Sequence, residues 1–357
     1  MSSRSRLNPI ANRAAALLFI VLFASGCATP VGVTRLDEQA AHRELNADVL
    51  STGKPSAYST QILERTALSQ RFRSEPEVVI AELNSGLGKP DERDRLFALS
   101  ELCFAYAEES GSRSYYMASA AYAYAFLFPP NAAGAPGEYD PRLHVAVDLY
   151  DRGIALGLAT KDGKEVDLSA RQFSLPFGSL ALSANPNGYN YAGYRLTNFV
   201  SLADVKVRGL CNTYRIAGIG AALSARVEPA PGKAASRWIP VTAKVPVTAF
   251  VRFDNPRLAM SNGRLHGTVE VYDEDRMKAL QVGSHTVPIE SDPSAALAYQ
   301  LEGAPIGDFE LAGFRRGDFA FLGAEAGDLN GLYMLHPYHL NMIPVVFVHG
   351  TASSPAR

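Results

Sequence analysis

A change of hydrophobic period near Gly163 divides the sequence, and it constrains the fold more than any single motif does. Before it, apolar side chains recur every three to four residues, the spacing that gathers them on one face of a helix. After it they alternate, as in a strand with one buried face. A chain that switches between these periods segregates its helices from its strands. An α+β fold grading into α/β is therefore predicted. With 357 residues, 47% of them hydrophobic, two or three domains have room to bury cores.

The helical half reads as a series of short helices. Ile62, Leu63, Thr66 and Ala67 give a weak stripe. Ser74-Glu75-Pro76-Glu77 has the hydroxyl, first-turn proline and third-position glutamate of a capping box, with Val78, Val79 and Leu83 behind it. A longer helix opens at the acidic turn 91–94, runs through Leu96, Leu99, Leu102, Cys103 and Tyr106, and is broken by Gly111. Another spans 114–128 and stops at Pro129-Pro130; Asp140-Pro141 opens the next, with Leu143, Val147, Tyr150 and Ile154 in register. Helix pairs of this size, with alanine and tyrosine alternating at the contact, resemble a tetratricopeptide-type stack. No 34-residue repeat emerges, and a plain bundle is the alternative. Tyr106, Tyr115, Tyr116, Tyr122 and Tyr124 fit either a ligand groove or core and interface packing.

In the β-rich half, short strands are expected at 166–168, 179–182 and 207–210, and stronger ones at 245–253 and 267–272. Pro246 argues that the 245–253 strand starts at an edge. Gly218-Ile219-Gly220-Ala221 lacks a dinucleotide fingerprint and reads as a loop. Asp292-Pro293 marks a helix over 294–300, and 319–322 and 332–335 are further strand candidates. A mixed or antiparallel sheet is predicted, leading without a linker into the last apolar run.

That run is Ile343-Pro344-Val345-Val346-Phe347-Val348, followed by His349-Gly350-Thr351. A continuous β-branched and aromatic segment is the pattern of a strand buried on both faces. Ending in His-Gly, it resembles the oxyanion strand of the α/β-hydrolase superfamily. The resemblance covers about fifteen residues directly. It implies that Thr351 donates its backbone N–H to the tetrahedral oxyanion, worth about 3–4 kcal/mol in the transition state. It also implies that Gly350 permits the turn and that His349 holds it structurally. In that family the nucleophile elbow, acid and base come later in the chain. Ala259-Met260-Ser261-Asn262-Gly263 imitates an elbow but reads as a β-turn. Asp318, His336 and His339 receive no role. The expectation is an incomplete hydrolase, inert as it stands, with an exposed and aggregation-prone sheet edge.

At the other end, Arg4, Arg6 and Arg13 precede the apolar run 14–23, which is too short to span a bilayer. Ala24-Ser25-Gly26-Cys27 follows and resembles a bacterial lipobox. The resemblance implies lipidation of Cys27 and, with Ala28 next, outer-membrane placement facing the periplasm. The expected layout is a signal peptide over 1–26, a tether over 27–57 with a short helix within 36–50, a helical domain over 58–160, a β-rich region over 161–330 and the start of a hydrolase core over 331–357.

Beyond residue 26 the chain carries 31 basic and 36 acidic side chains, a net of −5 that argues against nucleic acid. Cys103 and Cys211 make no disulfide framework, and Cys103 falls in an apolar helical pattern. No ligand-spaced Cys/His cluster occurs, so neither zinc nor another cofactor is expected. The expected partners are the membrane, through lipid on Cys27, a small-molecule or lipid ester, and a protein docked on the helices. Two alternatives stand beside the hydrolase: a non-catalytic envelope lipoprotein that binds protein, and a site completed by a separate polypeptide. Replacing Cys27 (Cys27→Ser) should abolish incorporation of labelled palmitate and release the protein from the membrane fraction.

Overall fold

The computed structural model describes residues 31–130, 134–191, 193–232, 243–273, 277–302, 343, 345 and 346. The chain falls into two compact units, residues 1–46 and 47–357. In the first, helix α1 (Glu38–Leu45) begins where the Asp37 carboxylate accepts from the Ala40 N–H at 2.7 Å. This is the short helix expected within 36–50.

The second unit is an α+β structure. Its helices come first: α2 (Val49–Thr52), α3 (Ala57–Arg65), α4 (Ser69–Ser74), α5 (Pro76–Ser85), α6 (Glu92–Ser110), α7 (Arg113–Leu127) and α8 (Arg142–Gly157). Then come β1 (Arg171–Leu175), β2 (Gly178–Ser183), β3 (Tyr189–Tyr191), β4 (Tyr194–Ser201), β5 (Ala221–Pro229) and β6 (Lys244–Phe253). They are followed by α9 (Pro256–Asn262), β7 (Arg264–Tyr272), β8 (Ala279–Val282), β9 (His285–Pro288) and α10 (Pro293–Leu301).

Helix α6 is the axis of the helical layer. From Arg95 to Ala107 only Tyr106 escapes full burial. A helix enclosed on all sides belongs in the middle of a core, and α2, α3, α5, α7 and α8 all touch it. Gly111 ends it at φ +68, its N–H donating to the Ala107 carbonyl at 2.8 Å. Close approach of α7 to α8 follows from small residues. Ala118, Ala120, Ala121, Ala123 and Ala125 are fully buried, and a Cβ on Gly153 would lie 2.7 Å from the Tyr116 carbonyl oxygen. The expected capping box at Ser74 does not form. α4 runs almost directly into α5, so Ser74 is still helical and its hydroxyl donates back to the Arg71 carbonyl at 3.3 Å.

Seven strands form one mixed sheet in the order β1-β2-β7-β6-β5-β4-β3, antiparallel except for β2 beside β7. The sheet is strongly curled. The Tyr189 hydroxyl on edge strand β3 reaches the carbonyls of Val269 on β7 and of Leu168, both at 3.4 Å. Leu182, Val251 and Phe253 converge on Gly267. Phe250 packs on Tyr124 and Tyr150 of the helices, with ring centroids 6.1 and 5.5 Å apart. A single hydrophobic core therefore continues from Val49 on α2 to Ile289 beyond β9. β8 and β9 form a separate ribbon, and α10 opens at Asp292 as expected, with its carboxylate accepting from the Ala295 N–H at 2.8 Å.

Three expectations are corrected by tertiary context. β6 is an interior strand, not an edge. Pro246 is tolerated because β7 pairs only from Thr248 to Phe253, so Pro246 overhangs it and faces only Ser224 of β5. Residues 207–210 form no strand, since Gly209 sits at φ +80. Residues 166–168 contribute only isolated bridges, from Val166 to Ala159 and Phe199.

The join between layers has one decisive contact. β5 pairs with β6 only as far as Ala221 opposite Ala249, so Val251, two residues on, has no β5 neighbour. The fully buried Tyr150 fills the gap. Its hydroxyl accepts from the Val251 N–H at 2.9 Å and donates to the Val251 carbonyl at 2.7 Å. Tyr150→Phe should lower the unfolding free energy by about 2 kcal/mol, because it leaves a buried donor and acceptor unpaired. A urea titration should show this as a lower midpoint at unchanged slope.

Candidate functional site

The residue after Tyr150 also grips the sheet. Asp151 accepts from the Gly220 N–H at 2.5 Å, just where β5 begins. Glu290, which is 6% exposed, accepts from the Gly218 N–H at 2.8 Å and from Arg215 Nε at 2.7 Å. Thr248 Oγ1 donates to the Glu290 carbonyl at 2.5 Å. Backbone, not side chain, fits here: a Cβ on Gly218 would lie 2.3 Å from the Ile289 carbonyl carbon. Burial pushes the Asp151 carboxyl well above the usual range, against the Gly220 hydrogen bond, and the neighbouring Glu290 and Asp148 charges add to the rise. Asp148 is also raised by burial, opposed by Arg152 and Arg215.

Raised carboxyls are the raw material of acid–base chemistry. Here Asp151 and Glu290 are each occupied by a loop N–H. A glycine-rich loop cradles phosphate by pointing its N–H groups at the anion, and carboxylates already accept from both Gly218 and Gly220. The loop reading of 218–221 holds only in part, since Ile219 bridges Ile289 and Ala221 begins β5, and this cluster acts as a clamp.

A further buried carboxylate lies on α6. Glu101 is fully buried and meets the starts of two helices. It accepts from the Val49 N–H at 3.2 Å, the Ser56 N–H at 3.2 Å, and the Ser56 and Ser59 hydroxyls, both at 2.5 Å. These donors stabilise the ionised form, as does the positive end of each helix. Burial outweighs them and raises the carboxyl above the ordinary glutamate range.

Arginines meet the acidic first turn of α6 from several elements. Arg95 bonds Asp91 at 2.8 Å, and Arg257 of α9 reaches Glu92 at 3.2 Å and the Ala125 carbonyl at 3.0 Å. Arg142 bonds Asp94 and Asp140, each at 2.7 Å. Its guanidinium also lies 5.5, 5.6 and 5.3 Å from the ring centroids of Tyr58, Phe97 and Phe126. The Arg95 hydrogen bond lowers Asp91, and the Arg142 hydrogen bond lowers Asp140.

Cys27, His349, Gly350 and Thr351 lie outside the described residues, as do Asp318, His336, His339 and the strand candidates 319–322 and 332–335. Of the run 343–348, Ile343, Val345 and Val346 are described. They belong to no strand and are 88%, 70% and 61% exposed, where a strand buried on both faces was expected. A strand is buried by partners on either side, and no described strand pairs with these three.

The β-turn expected at Ala259–Gly263 is also corrected. It is the last turn of α9 and its left-handed cap, with the Ser261 hydroxyl donating to the Arg257 carbonyl at 3.3 Å. Cys103 is buried and Cys211 exposed, and both are free. Among the described residues no cluster of His, Cys, Asp and Glu could hold a metal. No described helix is long and apolar enough to cross a membrane. No family model, curated protein or solved structure matches the chain.

The raised Glu101 carboxyl has a consequence for stability. A folded-state rise means that its contribution is fully present below about pH 4 and lost as pH climbs through the folded value. The unfolding free energy of the parent minus that of Glu101→Gln should therefore fall between pH 4 and pH 7.5. A difference that stays flat with pH, measured by urea denaturation, would rule this assignment out.

Proposed function

We infer that the chain carries the lipid anchor, an accessory α+β body and the oxyanion-hole segment of an envelope serine hydrolase that cleaves an ester or related acyl bond. The observation that supports this is the run Pro344-Val345-Val346-Phe347-Val348-His349-Gly350-Thr351, downstream of a lipobox-like Ala24-Ser25-Gly26-Cys27. In this reading α3 to α8 form a tetratricopeptide-like docking layer, and the curled sheet leads toward the hydrolase core. The 357 residues contain no Gly-x-Ser-x-Gly, and this reading therefore requires a nucleophile, acid and base supplied from outside them.

The chemistry follows the serine pattern. The serine oxygen adds to the acyl carbon while a histidine takes its proton, and the carbonyl electron pair moves onto oxygen. The Thr351 N–H donates to that oxyanion, and collapse expels the leaving group with the proton returned by histidine. Water then repeats the sequence to release the acid.

A second reading is a non-catalytic envelope lipoprotein that binds protein. It is favoured by the way the buried carboxylates of the body are spent on structural donors, Glu101 on Val49, Ser56 and Ser59, and Glu290 on Gly218 and Arg215. The two readings diverge under a fluorophosphonate probe. The hydrolase reading expects the frame beyond the Arg357 codon to encode Gly-x-Ser-x-Gly, then an acid and a histidine. The longer product should be labelled and the 357-residue chain should not. A stop codon at that point, with no co-purifying polypeptide that labels, sinks the hydrolase.

A further inference from the structure

Residues 202–220 join β4 to β5 without a helix or strand of their own. Connections longer than about 15 residues are uncommon inside a compact body and usually carry function. One end of this segment is packed: Val205 and Val207 rest on Leu202, Ala222, Ala295 and Ala296. From Cys211 to Ala217 every residue is exposed, so no core holds that stretch. Its ties are polar. The Tyr214 N–H donates to Ser294 Oγ at 2.5 Å, and Ile216 exchanges backbone hydrogen bonds with Ser291 at 2.8 and 3.0 Å. Arg215 Nε and the Gly218 N–H both donate to Glu290, and the Gly220 N–H donates to Asp151 of α8.

Two carboxylates on different elements therefore hold the segment at points two residues apart, and the charges around them do not balance. α8 contributes Asp148, Arg152 and His144, Asp48 lies just ahead of α2, and Asp292 follows Glu290. Arg152 bonds Asp204 at 3.1 Å. Glu270 of β7, which acts on neighbouring Tyr150, is bonded by Arg252 at 3.0 Å. Among the described residues Arg215 is the cation that faces Asp148, Asp151 and Glu290 together. Three carboxylates around one guanidinium are relieved if Asp151 stays protonated. Burial and the Glu290 and Asp148 charges push its carboxyl well above the usual aspartate range.

We propose that Asp151 and Glu290 form a latch on the 213–220 segment, closed in acid and released as the pH rises. The neutral Asp151 carboxyl accepts from the Gly220 N–H and adds no charge. Once ionised it is repelled by Glu290, which grips the same segment at Gly218. Lifting the segment lets both charges meet water. The sign follows from linkage: a raised folded-state value favours the closed form fully below about pH 4 and loses that preference as pH climbs through it. Val205 and Val207 keep the far end seated, so the release is local. The proposal does not depend on the hydrolase reading.

The test is limited trypsin cleavage of the full chain from about pH 5 to about pH 8.5. The bond after Arg208 lies in an exposed stretch, whereas a cut after Arg215 requires the Ile216, Gly218 and Gly220 ties to part. The ratio of the two initial rates cancels the pH dependence of trypsin itself. That ratio, Arg215 over Arg208, should rise about tenfold across the range. Asp151→Asn keeps the accepting oxygen but cannot ionise, and should hold the ratio flat. Asp148→Asn, at an exposed site, should shrink the rise by removing a like charge. Cys103, buried on α6, should stay unalkylated by iodoacetamide throughout. A flat ratio in the parent, or an undiminished rise in either variant, overturns the proposal. So does alkylation of Cys103 in step with the cut, which would mark global unfolding.

Discussion

The join between helices and sheet rests on a backbone problem. β5 begins too late to pair with all of β6, and a buried N–H and C=O cannot be left without partners. Tyr150 and Asp151, consecutive residues of α8, answer it together. One replaces the missing strand at Val251, and the other holds the Gly220 N–H where β5 starts. The register of β5 against β6, the position of α8 and the path of the 215–220 segment are therefore coupled. Moving any one of them strands a buried polar group.

The same economy governs the other buried charges. Glu101 has no counter-ion, yet it collects hydroxyl and backbone donors from the starts of α2 and α3 and ties both to α6. Arg142 is enclosed by rings of α6 and α7, by Asp94 of α6 and by Asp140 just ahead of α8. Breaking one side of such an arrangement leaves the other buried and uncompensated, which costs far more than a surface pair is worth. Each of these groups therefore ties together the elements that it bonds.

Much of the helical layer was legible because its signals are local. Gly111, Asp140-Pro141 and Asp292-Pro293 mark real helix ends, since caps depend on neighbours three or four residues away. The sheet was legible only where strands are β-branched, as in β6 and β7. β5, written Ala-Ala-Leu-Ser-Ala-Arg-Val-Glu-Pro, and β4, interrupted by a left-handed Asn198, carry little β signal of their own. They are strands because their neighbours make them so. In the candidate site the roles of Asp151, Glu290 and Glu101 were not readable, because each pairs with groups 42 to 75 positions away. The one available hint was an acid on the otherwise apolar face of α6.

By itself the sequence determined the α+β class, the order of helices before strands, the main helix ends and a net negative charge. These depend on period, caps and composition, all of which are local or additive. Only the tertiary structure decided the strand order, the interior place of β6 despite Pro246, and the pairing of Tyr150 with Val251 across 101 positions. Hydrogen bonds and burial at that range depend on how distant segments meet, and no short window of sequence carries that information.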